Sequence, residues 1–121
     1  MTTKLKKGLK KTKEIWGYER LDLQNDYEEL GEFILETAFG EVYSRPGLAL
    51  RDRELITIAM LVAQGGAENQ LRNHFLGALN LGIKKEELME LILQSSLYNG
   101  FPKAIQAKKL LNQVLNELQK A

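Results

Sequence analysis

The sequence predicts an all-α fold, a single-domain bundle of about six helices over residues 1–121. Three observations carry that prediction. Apolar residues recur at three- and four-residue steps almost everywhere, and strand-like alternation is weak. Glycine, proline and polar breaks near residues 17, 44–47, 64–66, 82 and 99–102 cut the chain into pieces of helix length. With 121 residues and 44% hydrophobic content, the chain can bury one small core.

The elements follow in order. Residues 4–16 form a basic leader helix whose apolar positions are Leu5, Leu9, Ile15 and Trp16. Its lysines are expected to face water, and Gly17 ends it. Asn25 or Asp26 caps the second helix, with Glu28 and Glu29 in a favourable first turn. Tyr27, Leu30, Ile34, Ala38 and Val42 make one face of it, and Phe33, Leu35 and Phe39 widen that face. Gly31 and Gly40 permit a close helix approach. Ser44-Arg45-Pro46-Gly47 stops the helix, because the residue before proline avoids the helical region.

The third helix covers residues 51–63. Its stretch from Leu55 to Val62 is apolar nearly all round, which predicts a central, fully buried helix. A subunit interface is expected to absorb that surplus of apolar surface. Glu68 opens the fourth helix, with Leu71, Phe75, Ala78 and Leu79 on its core face and Gly82 as its stop. The fifth runs over residues 84–98, with Leu88, Leu91, Ile92 and Ser95 in one stripe. Pro102 belongs in the first turn of the last helix, which puts Ile105, Leu110, Leu111, Val114, Leu115 and Leu118 inside.

Composition excludes several function classes. There is no cysteine, which removes disulfides, thiol catalysis and thiolate metal sites together. Net charge is +1, so nothing draws the whole chain to nucleic acid. Six lysines crowd the first 13 residues, while residues 14–121 carry 11 basic and 16 acidic groups. No apolar run reaches the roughly 18 residues of a membrane helix, and no apolar stretch follows the lysines as in a secretory signal. A cytoplasmic protein without a membrane or nucleic-acid partner is the expectation. The single histidine, His74, also argues against a metal site. Ser95 and Ser96 lack a nucleophile elbow, and there is no phosphate loop or dinucleotide fingerprint.

What remains is proton chemistry at His74, the side chain suited to proton transfer near neutral pH. His74 lies three residues after Leu71 and four before Ala78, at the border of a buried face. On composition alone it reads as a hydrogen-bonded histidine at a helix boundary. Gln70, one turn earlier, could orient it or a ligand, and Glu68 starts the same helix. Arg45, Arg51 and Arg53 cluster around the turn into the third helix. Their planar guanidiniums suit carboxylates, although taken alone they read as surface arginines beside Asp52 and Glu54.

Four motifs in this order resemble the γ-carboxymuconolactone decarboxylase family: Phe39-Gly-Glu-Val-Tyr-Ser-Arg-Pro-Gly-Leu48, Arg53-Glu-Leu-Ile-Thr-Ile-Ala-Met-Leu-Val-Ala63, Glu68 through His74 to Ala78, and Leu93-Gln-Ser-Ser-Leu-Tyr-Asn-Gly-Phe-Pro102. The likeness spans residues 25–115. It is closer to the decarboxylase branch than to the alkylhydroperoxidase D-like branch, whose Cys-x-x-Cys pair is missing between Ala67 and Gln70. The resemblance implies an alkylhydroperoxidase D-like helical subunit assembled as a homohexamer. It implies cofactor-free decarboxylation of 4-carboxymuconolactone, a small carboxylated lactone, to an oxoadipate enol-lactone in protocatechuate catabolism. His74 is then the expected proton donor, with Glu41 or Glu68 orienting it or relaying the proton. Arg45 is the expected carboxylate clamp, seconded by Arg53 or Arg51. Two other readings stay open: a decarboxylase of another carboxylated lactone or keto acid, and a non-catalytic helical assembly module.

Overall fold

The computed structural model describes residues 1–120, and every element among them is helical. In chain order these are α1 (Thr3–Trp16), α2 (Leu21–Ile34), a π-helix (Leu35–Val42), α3 (Leu50–Gln64), α4 (Glu68–Asn80), α5 (Lys85–Asn99) and α6 (Phe101–Lys120). None of these helices is long and apolar enough to cross a membrane. The chain sorts into two compact units, Met1–Arg53 and the residues from Glu54 onward, divided just after the first turn of α3.

In the first unit, α1 packs on the π-helix. Leu5, Leu9, Ile15 and Trp16 are buried, while Lys4, Lys6, Lys7, Lys10 and Lys13 are exposed, so the leader's charge faces water as expected. The crossing is tight because two glycines meet it. A Cβ on Gly8 would overlap the Leu35 carbonyl, and one on Gly40 would overlap the Lys4 carbonyl. Trp16 meets Phe39 edge to face at 5.5 Å, and Phe39 meets Tyr43 at 4.9 Å.

The second helix differs from expectation in three ways. It begins at Leu21, ahead of Asn25, because Arg20 is anchored there. The Arg20 N–H donates to the Thr12 hydroxyl (3.0 Å), and its guanidinium grips Asp22 at 2.8 and 2.9 Å while lying 4.6 Å above the Trp16 ring. Burial works against the Arg20 charge, but the hydrogen bond and attraction from Asp22 outweigh it and raise its pKa. The helix is then broken at Glu28, which adopts φ 54°. That conformation costs about 1–3 kcal/mol for a side-chain-bearing residue. The break lets Gly31 sit against the Leu23 carbonyl, where a Cβ would not fit. Finally, the chain loosens into π turns after Ile34, as in the Tyr43 N–H to Ala38 carbonyl bond of 2.7 Å. A face drawn at 3.6 residues per turn loses phase across both irregularities. Thus Gly31, Leu35, Phe39 and Gly40 are the buried set, and Tyr27, Leu30, Phe33 and Val42 are exposed.

The second unit is held by an aliphatic and aromatic core from α3 to α6. It includes Ile58, Val62, Leu71, Phe75, Ile83, Leu88, Ile92, Leu110, Leu111 and Val114. Gly82 ends α4 with φ 91°, and Pro102 sits in the first turn of α6, both as expected. The ammonium of Lys103 donates to the Ala63 carbonyl (2.6 Å), closing the last turn of α3. Two burial expectations fail. Only one stripe of α3 is buried, namely Glu54, Ile58 and Val62, and Ile56 and Met60 are exposed. In α6, Ile105 and Leu118 are exposed, because its buried arc is confined to Ala107, Leu110, Leu111 and Val114.

Candidate functional site

Glu54 and His74 meet across the inward faces of α3 and α4. Glu54 precedes Ile58 by four residues and Val62 by eight, so helical geometry carries its carboxylate to the core side. His74 precedes Ala78 by four and borders the buried face of α4. Its Nδ1 lies 2.9 Å from one Glu54 oxygen and 3.1 Å from the other. The Glu54 side chain is fully buried, and that of His74 is 14% exposed. A carboxylate in apolar surroundings is costly without a hydrogen-bonded partner, and the imidazole supplies one. The ring donates Nδ1–H to the Glu54 carboxylate, which fixes its orientation.

The other expected site residues lie as follows. Glu68 and Gln70 occupy the exposed first turn of α4. Glu68 lines a cleft with Gly65, Gly66, Lys103 and Gln106, and neither Glu54 nor His74 takes part in that cleft. In the first unit, Glu41 is exposed on the π-helix and pairs with Lys4 at 3.4 Å. Arg45 is exposed in the turn that follows, and its carbonyl accepts from the Arg53 guanidinium at 3.2 Å. Arg53 is half-buried and Arg51 exposed in the first turn of α3. The structure therefore brings Arg45 and Arg53 together, as the sequence suggested.

Glu54 is the residue that sequence reasoning misplaced. It was expected at the surface, beside the arginines, and instead is buried against His74. A signal was available: Glu54 is a carboxylate on the same i, i+4, i+8 stripe as Ile58 and Val62.

Comparison with known proteins agrees with this architecture. Residues 28–113 match the model of the carboxymuconolactone decarboxylase family. A 4-carboxymuconolactone decarboxylase from Acinetobacter baylyi is 41% identical over 118 residues, covering 93% of this chain and 87% of that protein. A nitrosuccinic acid decarboxylase from Metarhizium robertsii is 33% identical over 116 residues, covering 92% of this chain and 80% of that protein. An uncharacterized 15.0 kDa protein of Paracoccus denitrificans is 38% identical over 85 residues, covering 69% and 63% of the two chains.

Proposed function

The chain belongs to the carboxymuconolactone decarboxylase family and is a carboxy-lyase, and from that premise we propose that it decarboxylates 4-carboxymuconolactone to an oxoadipate enol-lactone, with His74 as proton donor. The observation that carries this reading is the buried Glu54 carboxylate on His74 Nδ1. In the proposed reaction the bond to the departing carboxylate breaks and carbon dioxide leaves. The electron pair passes into the conjugated lactone carbonyl as a dienolate. The Nε2–H of cationic His74 then protonates carbon, and the neutral imidazole regains a proton from solvent. Glu54 is the positioning residue, because it holds the ring and balances the imidazolium. Arg45, with Arg53 or Arg51, holds the substrate carboxylates through planar paired hydrogen bonds. Gln70 orients the ligand, and Glu41 or Glu68 relays protons to bulk water. No cofactor enters, since the lactone itself takes up the electrons.

The same reading places the protein in the cytoplasm, in aromatic catabolism through protocatechuate, as a homohexamer. The many exposed large apolar side chains, among them Ile56, Met60, Leu93 and Phe101, support assembly. A second reading, favoured by the nitrosuccinic acid decarboxylase relative, keeps the chemistry and changes the acid. A nitro group accepts the electron pair as a conjugated lactone carbonyl does, so the shared requirement is an acid whose departing carboxylate leaves its electrons on a carbon conjugated with an electron sink.

Carbon dioxide release from 4-carboxymuconolactone tests the proposal. The wild-type chain releases it, and His74→Gln lowers kcat by at least about 100-fold. Glu54→Gln lowers kcat with little change in KM, because it disturbs the ring and not substrate binding. Arg45→Ala mainly raises KM. Near-normal turnover by His74→Gln removes the proton-donor role. Release from nitrosuccinic acid alone moves the chain to the second reading.

A further inference from the structure

We propose that copies of this chain associate head to tail, with the acidic apolar ridge of α2 on one copy seated in the α5–α6 cleft of the next. The inference rests on the self-association proposed above and is independent of the chemistry. Each partner surface is visible on its own unit. Between α5 and α6 lies an open cleft of about 660 Å3 whose walls include Met89, Leu93, Phe101 and Ile105, with Lys108 and Lys109 along its edge. Leu93, Phe101 and Ile105 are each about two-thirds exposed, at 66%, 72% and 65%. That is much apolar surface to leave in water for a small chain. On α2, Leu30 and Phe33 stand out at 59% and 63% exposure, one helical step apart. Glu29 and Glu32 lie beside them.

Charge decides the pairing. Residues 21–44 hold seven carboxylates and no lysine or arginine. The α6 helix holds four lysines and one glutamate. An apolar ridge edged by glutamates therefore meets an apolar cleft edged by lysines, which steers encounter and sets register. Two rival occupants fit less well. A cleft laid on a second cleft leaves a void and brings Lys108 and Lys109 of both copies together. The lysine face of α1 has no apolar side chains to fill the cleft. Ridge and cleft are different surfaces, so the contact is heterologous and repeats from copy to copy until a ring closes.

The test uses the full chain and two variants, Phe33→Asp and Ile105→Asp, weighed by native mass spectrometry and light scattering. Both positions are exposed, so both variants should still fold and melt cooperatively, at a temperature lowered only by the loss of association. Burying an unpaired carboxylate in the contact weakens association by at least about 100-fold, and each variant alone should run as a monomer. Mixed together, they retain one intact ridge and one intact cleft, so a 1:1 heterodimer should form and stop there. Lys108→Glu with Lys109→Glu should weaken wild-type association at low salt. A monomeric wild type, or variants that keep the wild-type mass, overturns the proposal. So does a Phe33→Asp chain that stays assembled while Ile105→Asp falls apart, which is the signature of cleft on cleft. Carbon dioxide release is measured in parallel, so loss of the proposed activity and loss of the proposed contact are read separately.

Discussion

The two units of this chain solve the same packing problem by different means. The first, Met1–Arg53, is joined by backbone approach. Gly8, Gly31 and Gly40 remove side chains where one segment lies against another, and Arg20 ties the corner to Trp16, Thr12 and Asp22. The second, from Glu54 onward, is joined by interlocking side chains around Phe75, with one polar pair, Glu54 and His74, at its border. The contrast teaches where each unit is vulnerable. Close backbone contact tolerates no added atom, and a side-chain core tolerates no lost one.

The strongest way to expose the contrast is Phe75→Ala. Phe75 is fully buried, so its truncation should cost about 3–5 kcal/mol. Amide hydrogen exchange should speed up in α4, α5 and α6. Protection left intact there would mean that the core does not depend on its largest side chain. Gly40→Ala is the converse lesion. The new methyl group meets the Lys4 carbonyl, which is backbone and cannot swing aside. A loss of about 1–3 kcal/mol is expected, with faster exchange in α1 and the π-helix. An unchanged melting temperature would show that the crossing is looser than the geometry requires.

The smallest effect concerns acid. The hydrogen bond from Arg20, followed by its charge, holds the Asp22 carboxyl below its ordinary pKa. A depressed folded-state pKa stabilises the fold above the unfolded value of about 4 and stops doing so as pH falls through the folded value. The Asp22 side chain is 46% exposed, so solvent reduces the benefit to less than about 1 kcal/mol. Asp22→Asn should therefore lower stability slightly at pH 7 and match the wild type in urea titrations at a pH below the depressed value of the Asp22 carboxyl. An equal gap at both pH values would point to packing of Arg20 in place of its charge.

The helical class, the breaks at Gly17, Gly82 and Pro102, and the core of α4 were legible because each depends on local spacing or on a backbone preference of one residue. The decarboxylase family was legible from its four motifs, and membership brings the alkylhydroperoxidase D-like all-α fold with it. What misled was the assumption of a constant 3.6-residue turn. Across Glu28 and the π turns after Ile34 that assumption buried Tyr27, Leu30 and Val42, which are exposed. The candidate site shows the same division. His74 stood out by itself as the only histidine, and the pair Arg45 and Arg53 followed from their nearness in sequence.

The sequence by itself determined the helices, the lack of thiol chemistry and the one group fit for proton transfer, because composition and local periodicity suffice for each. Only the tertiary structure decided that Glu54 is buried and that its carboxylate holds Nδ1 of His74. The reason is physical. Twenty residues separate the two, and a turn marked by positive φ at Gly65 and Gly66 lies between them. The angle at which α4 returns along α3 depends on how the whole core fills space, which no local pattern encodes.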